Sequence, residues 1–180
     1  MMNYKQTFMN HELMRFILIS TFIANVALSL FSLLILPDKV AIHFGHHGRA
    51  DNWASKELNA LLFIFIDVLI FCLFYFTPRL IFTVPARWFN LPNRDFWFRE
   101  ENKPRLQSMM SSFFWQFGSA LFLFFFGISV LTIQANLSTP VRLHEPVFFL
   151  GLILFMVYTI YWLIKFLLAF KIPENHGTTL

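Results

Sequence analysis

The sequence predicts an all-α integral membrane protein: a four-transmembrane-helix bundle, N-in/C-in, with a short β-hairpin-like loop on its outer face. Three observations predict it. Of the 180 residues, 57% are hydrophobic and 26 are Phe, while 13% are charged, against about 25% in an ordinary soluble domain. The apolar residues gather into four runs of near-bilayer length. The basic residues flank those runs in alternate connections, which is membrane topology rather than a nucleic-acid surface, so a formal charge of +4 implies a lipid bilayer as partner and no nucleic acid. A bundle of this length leaves no room for a second unit, and residues 1–180 form a single membrane domain.

A hydrocarbon core about 30 Å thick needs roughly 20 helical residues. The spans fall at 16–36, 58–77, 113–133 and 147–164. The first is longer than the apolar region of a signal peptide and no A-x-A site follows it, so it reads as a retained anchor. The N-terminal tail (Lys5, Arg15), the 78–112 loop (Arg79, Arg87, Arg94, Arg99, Lys103, Arg105) and the C-terminal end (Lys165, Lys171) hold ten basic residues. The other loops hold four, Lys39, Arg49, Lys56 and Arg142. That bias places both termini and the 78–112 loop in the cytoplasm, and the 37–57 loop outside. Trp88, Trp97, Trp115 and Trp162 near inner ends, with Trp53 near an outer one, predict an interfacial belt. Lys165 is placed to snorkel. The single cysteine, Cys72, excludes an intramolecular disulfide. The outer loops, of 21 and 13 residues, share no pattern, which counts against an inverted-repeat transporter.

Within the spans, Asp67 is the conspicuous residue, since a mid-bilayer carboxylate costs about 2.5–3.5 kcal/mol on insertion scales. It should face protein or water. Asn25 and Tyr158 fall at similar depth, and Thr21, Asn25, Ser29 and Ser32 share one face of the first helix. The plain expectation is interhelical hydrogen bonding of Asp67 to Asn25 or Tyr158. The sharper one is a proton- or ion-responsive site.

The outer loop alternates through Val40, Ile42 and Phe44, turns between Gly45 and Gly48, and returns as a second strand near Ala50–Trp53. Ser55 should cap the second span, with Glu57 in its first turn. His43, His46, His47 and Asp51 lie within nine residues. Imidazole and carboxylate are metal-ligand types, but the spacing matches no familiar zinc pattern. The loop reads instead as a hydrogen-bonded surface turn, no metal is assigned, and histidines in it could respond to acidification.

Leu36-Pro37, Ile42-His43-Phe44, Gly48, Asp51, Trp53 and Ser55-Lys56 resemble an uncharacterised bacterial membrane domain, a domain of unknown function that also occurs at the N-terminal end of Sdp-type toxin immunity proteins. The stretch Asn90-Leu-Pro92-Asn93-Arg-Asp95-Phe-Trp97, followed by Glu101, is similar to the "N-x-P-N-K/R-D/E-Y-W" segment of small proteins that carry it. Phe96 stands where tyrosine is common. The resemblance implies a bacterial plasma (inner) membrane protein, multi-pass, with outer-loop binding residues at His43, Phe44, Gly48, Asp51, Trp53 and Lys56. The second motif comprises Asn90, Pro92, Asn93, Asp95, Trp97 and Glu101. The immunity proteins continue with further spans, so toxin immunity is not carried over.

The 78–112 loop interleaves six basic residues with Trp88, Phe89, Phe96, Trp97 and Phe98, a composition that favours anionic headgroups. Pro85 and Pro92 limit helix, while Pro104 can start a short one. Asp95, Glu100 and Glu101 can pair with Arg94, Arg99 and Lys103. The competing reading is a docking surface for a cytoplasmic protein.

No H-E-x-x-H, Walker, G-x-S-x-G, dinucleotide or paired-cysteine motif is present, so neither an enzyme nor a cofactor is expected. The expectation is a non-catalytic sensing, binding or immunity-like module acting on an extracytoplasmic peptide or protein through the outer loop. The alternative is a small proton- or ion-coupled transporter or channel component using Asp67, which would need a homo-oligomer to line a path.

Overall fold

The computed structural model describes residues 4–171, with side chains of the first helix from His11 onward. The side chain of Lys5, used in the orientation argument, lies outside the described residues. In chain order the elements are α1 (Tyr4–Ile35), β1 (Lys39–Phe44), a 3-10 turn (His46–Gly48), β2 (Ala50–Ser55), α2 (Lys56–Leu80), a second 3-10 turn (Ala86–Trp88), α3 (Arg94–Trp97), α4 (Lys103–Leu137) and α5 (Glu145–Ala169). Four segments, His11–Ile35, Lys56–Leu80, Lys103–Leu137 and Glu145–Ala169, are long and apolar enough to cross a membrane. Each contains one expected span, except that Leu36 falls just past α1.

The third helix departs most from expectation. With Pro104 in its first turn, α4 begins ten residues before the apolar run and continues unbroken into it. Pro104 therefore starts the long helix itself, because its fixed φ suits a first turn and its missing N–H costs nothing there. The connection between α2 and α4 shrinks to 81–102. Pro78 lies inside α2, in its last turn.

The centre of the bundle is α4, which packs against α1, α2 and α5, while α1 and α2 also pack together. Close approach is made possible at Gly118, where an added Cβ would lie 2.8 Å from Phe74 Cβ and 2.9 Å from Leu18 Cδ1. Around it, Leu18, Trp115 and Phe122 are buried with Phe22, Phe71, Phe74 and Tyr75 against them. A second cluster at the opposite end from the strands joins Ile81, Trp97, Leu106, Met110 and Phe170. Trp97 (1% exposed) and Trp115 (2%) are thus core residues rather than belt members; Trp53 (40%) and Trp88 (70%) are the open indoles.

The strands form an antiparallel hairpin, pairing Lys39 with Ser55, Val40 with Ala54, Ala41 with Trp53, His43 with Asn52 and Phe44 with Ala50. The register breaks on either side of His43, and such bulges rotate side chains out of strict alternation. Val40 and Ala41, ahead of the breaks, are both buried, while Ile42 and His43 are exposed. The turn needs left-handed backbone at His47 (φ 59°) and Gly48 (φ 68°). Ser55 Oγ accepts from Leu58 N at 3.2 Å, capping α2 as expected.

Candidate binding surface at the hairpin end

The hairpin is fixed from one side. Asn136, in the last turn of α4, accepts from Ala41 N at 2.6 Å and donates Nδ2 to Ala41 O at 3.1 Å. One side-chain amide thus occupies both backbone groups of a fully buried strand residue, where leaving either unpaired would be costly. The α4–α5 connection seals the turn. Leu143 N donates to Gly48 O at 2.8 Å and Arg142 Nε donates to His47 O at 2.7 Å. A Cβ at Gly48 would strike Leu143 O, so glycine is required there by contact as well as by φ. The strand ends are tied by Lys56, whose Nζ lies 3.1 Å from Asp38 Oδ1 and whose N donates to Asp38 O at 3.1 Å. Of the resemblance residues, Gly48 and Lys56 are therefore builders of the hairpin.

The other side is open. His43 Nδ1 donates to Asp51 Oδ1 at 2.5 Å, with both side chains more than half exposed. Gly45 makes room for this pair, since a Cβ there would run into Asp51 Oδ2. Ile42 and Trp53 are exposed beside them, and Phe44 is half-buried. The His46 and His47 rings lie against each other tilted by 44°, with centroids 4.9 Å apart. Among the described residues, no three His, Cys, Asp or Glu side chains are grouped to share a metal ion. The surface offers exposed apolar and aromatic side chains together with the hydrogen-bonded His43–Asp51 pair. Asn136, Arg142 and Leu143 went unseen in the sequence; a polar residue just past the third apolar run was the only signal for the first.

The polar residues of the long apolar helices separate. Asn25 Nδ2 donates to Thr21 O at 2.9 Å and, across the α1–α4 contact, to Phe122 O at 3.0 Å. Asp67 is 1% exposed, on the α2 face whose neighbours one turn away are Phe63 and Phe71. Its Oδ1 is enclosed without a hydrogen-bond partner among the described residues. Among the described residues the expected bond from Asp67 to Asn25 or Tyr158 is not made, and both Asn25 N–H groups go to backbone carbonyls. Tyr158 instead lines a groove of about 880 Å³ between α1, α4 and α5 with Gln116 and Ser119. Beside Phe63, a small space of about 10 Å³ has a mixed lining, with Ser29, Ser32, Asn59, Ser129 and Thr132 alongside Leu28, Ala60 and Ile133.

At the far end, Asn93 takes a left-handed conformation (φ 55°) as the cap of α3. Asn93 Nδ2 and Trp97 Nε1 both donate to Phe170 O, at 3.1 and 2.9 Å, closing the C-terminal end of α5, where carbonyls lack intrahelical partners. Pro92 precedes this turn half-buried; Asn90, Asp95 and Glu101 are exposed. Arg94 pairs with Asp95 at 3.1 Å and Lys103 with Glu100 at 2.6 Å. Arg99, Lys103 and Arg105 lie over Phe96, Phe82 and Trp97, an arrangement that holds cations at an aromatic rim.

A family model described as a domain of unknown function (DUF1648) matches residues 20–67. The matched stretch holds Asn25, the whole hairpin and Asp67, and stops short of the Asn90–Trp97 segment. No curated protein and no solved structure matches the chain.

Proposed function

We propose that this is a non-catalytic, multi-pass protein of the bacterial plasma membrane, N-in/C-in, whose outward hairpin binds an extracytoplasmic peptide or protein. The observation that carries it is a hairpin held through its backbone by Asn136, Arg142 and Leu143 while the side chains of Ile42, His43, Asp51 and Trp53 remain exposed. A rigid element presenting an aromatic anchor beside apolar and charged groups is how binding surfaces concentrate affinity. The six basic residues between 78 and 112, with Lys165 and Lys171, support the orientation. The α3 segment would then face the cytoplasm, available to a protein partner.

A photoreactive residue placed at Trp53 or Ile42 in native membranes should give a discrete crosslinked product that disappears on His43→Ala/Asp51→Ala substitution at equal membrane level. Products unchanged by that substitution, or none from either position, would sink the reading.

The enclosed, unpaired Asp67 Oδ1 favours one second reading, a proton- or ion-coupled path. Flux into proteoliposomes should be absent for a binding module. Flux that Asp67→Asn abolishes in a normally folded protein would establish the path instead.

A further inference from the structure

Both motif-bearing loops hold the same helix. At the hairpin end, the segment leading into α5 is fastened by Leu143 N to Gly48 O and Arg142 Nε to His47 O. At the opposite end, Phe170 O receives Asn93 Nδ2 and Trp97 Nε1. Between these fastenings α5 packs chiefly on α4, and the packing is uneven. Near the α3 end it is dense and aromatic: Phe113 meets Trp162, Phe166 and Phe170, Phe117 meets Trp162, and Trp162 Nε1 donates to Phe113 O at 3.2 Å. The last aromatic contact toward the hairpin is Phe124 stacked on Phe155, centroids 4.7 Å apart. Beyond it, a Cβ built at Gly127 or Gly151 meets nothing within 4 Å, and both glycines line the groove of about 880 Å³ that separates α5 from α1.

We propose that α5 is a lever, pivoted on the aromatic cluster at its α3 end, with its hairpin-proximal third held in place by the turn at Gly45–Arg49. Releasing residues 142–143 frees that third to move relative to α4, into space already present. The latch is a single antiparallel bridge between Arg49 and Arg142, carried by Leu143 N to Gly48 O, plus Arg142 Nε to His47 O, on a turn in left-handed conformation, a contact small enough for a ligand's differential affinity to shift. The inference rests on the proposed binding role of the hairpin only in assigning what operates the latch: engagement of the His43–Asp51 and Trp53 side.

The mechanical part needs no ligand to test. In a Cys72→Ser background in nanodiscs, spin labels at Gly127→Cys and Gly151→Cys report the hairpin-proximal gap between α4 and α5; labels at Ser108→Cys and Leu167→Cys report the pivot end. Gly48→Ala drives a Cβ into Leu143 O, and Arg142→Ala is a milder release at an exposed residue. With Leu143 amide exchange verifying release, the first pair should shift by at least about 2 Å, the scale of helix shifts in switching proteins, while the second stays fixed. A static first pair after verified release overturns the lever, as does equal movement of both pairs, which is general loosening. A distance shift without a Trp53 crosslink would remove the binding reading alone; a crosslink with static distances would remove the lever alone.

Discussion

α4 and α5 are both long apolar helices, yet the more apolar of the two is the less buried. The most apolar stretch of α5 has mean hydropathy 2.4 and none of it is buried, whereas that of α4 has mean hydropathy 1.9 and 28% buried. In water the order would be reversed. For a bundle in lipid, hydropathy marks the surface turned to acyl chains, while helix contacts are made by small and polar residues that allow close approach. Ser111, Gly118, Ser119, Ser129 and Asn136 are the buried residues of α4 that do this. On α5, Gly151 is equally small but meets nothing within 4 Å of a built Cβ.

Substitutions can break or sharpen that contrast. The largest effect belongs to Asn136→Leu, which keeps volume but strands two buried backbone groups of Ala41; reversible unfolding should show a loss of about 3 kcal/mol, with fast amide exchange across β1. Equal stability would mean that the hairpin does not depend on α4. Gly118→Ala should cost about 2 kcal/mol by overpacking against Phe74 and Leu18, read by the same unfolding assay. Trp97→Phe keeps the aromatic packing and removes the hydrogen bond to Phe170 O. A loss of about 1 kcal/mol is expected, together with faster exchange in the last turn of α5. Smallest is Gly151→Ala, where open space and helix propensity together predict a gain of up to about 1 kcal/mol. A loss there as large as at Gly118 would show that α5 is packed in the membrane and erase the difference between the two helices.

Much of the architecture was legible because it is local. Apolar runs marked the four helices, and the Val40–Phe44 alternation with Gly45 and Gly48 marked the hairpin. What escaped is long-range or amphipathic. Arg105, Gln107, Ser108 and Ser112 ended the apolar signal ten residues too late for the start of α4, since helix continues where hydropathy has already fallen. Trp97 and Trp115 looked interfacial by position along the chain, but Trp115 is turned inward by rotation about the α4 axis, invisible in an apolar run, and Trp97 by its long-range bond to Phe170 O. Asn25 found a carbonyl on α4 rather than Asp67 because helix crossing, not depth alone, decides which groups meet. At the candidate surface, the exposed residues were anticipated; the anchoring by Asn136, Arg142 and Leu143 joins segments about 95 residues apart and has no local trace.

The asparagine clasp has a consequence for crowding. A two-stranded ribbon standing on a membrane is an open template for strands from neighbouring molecules. Here Asn136 occupies both backbone groups of Ala41 in β1, and Asn52 Oδ1 accepts from Trp53 N at 2.9 Å in β2. Asn136 thus takes the place of a third strand at Ala41, and Asn52 covers one N–H of β2, so at these two positions the hairpin has fewer free backbone groups to offer a neighbouring copy.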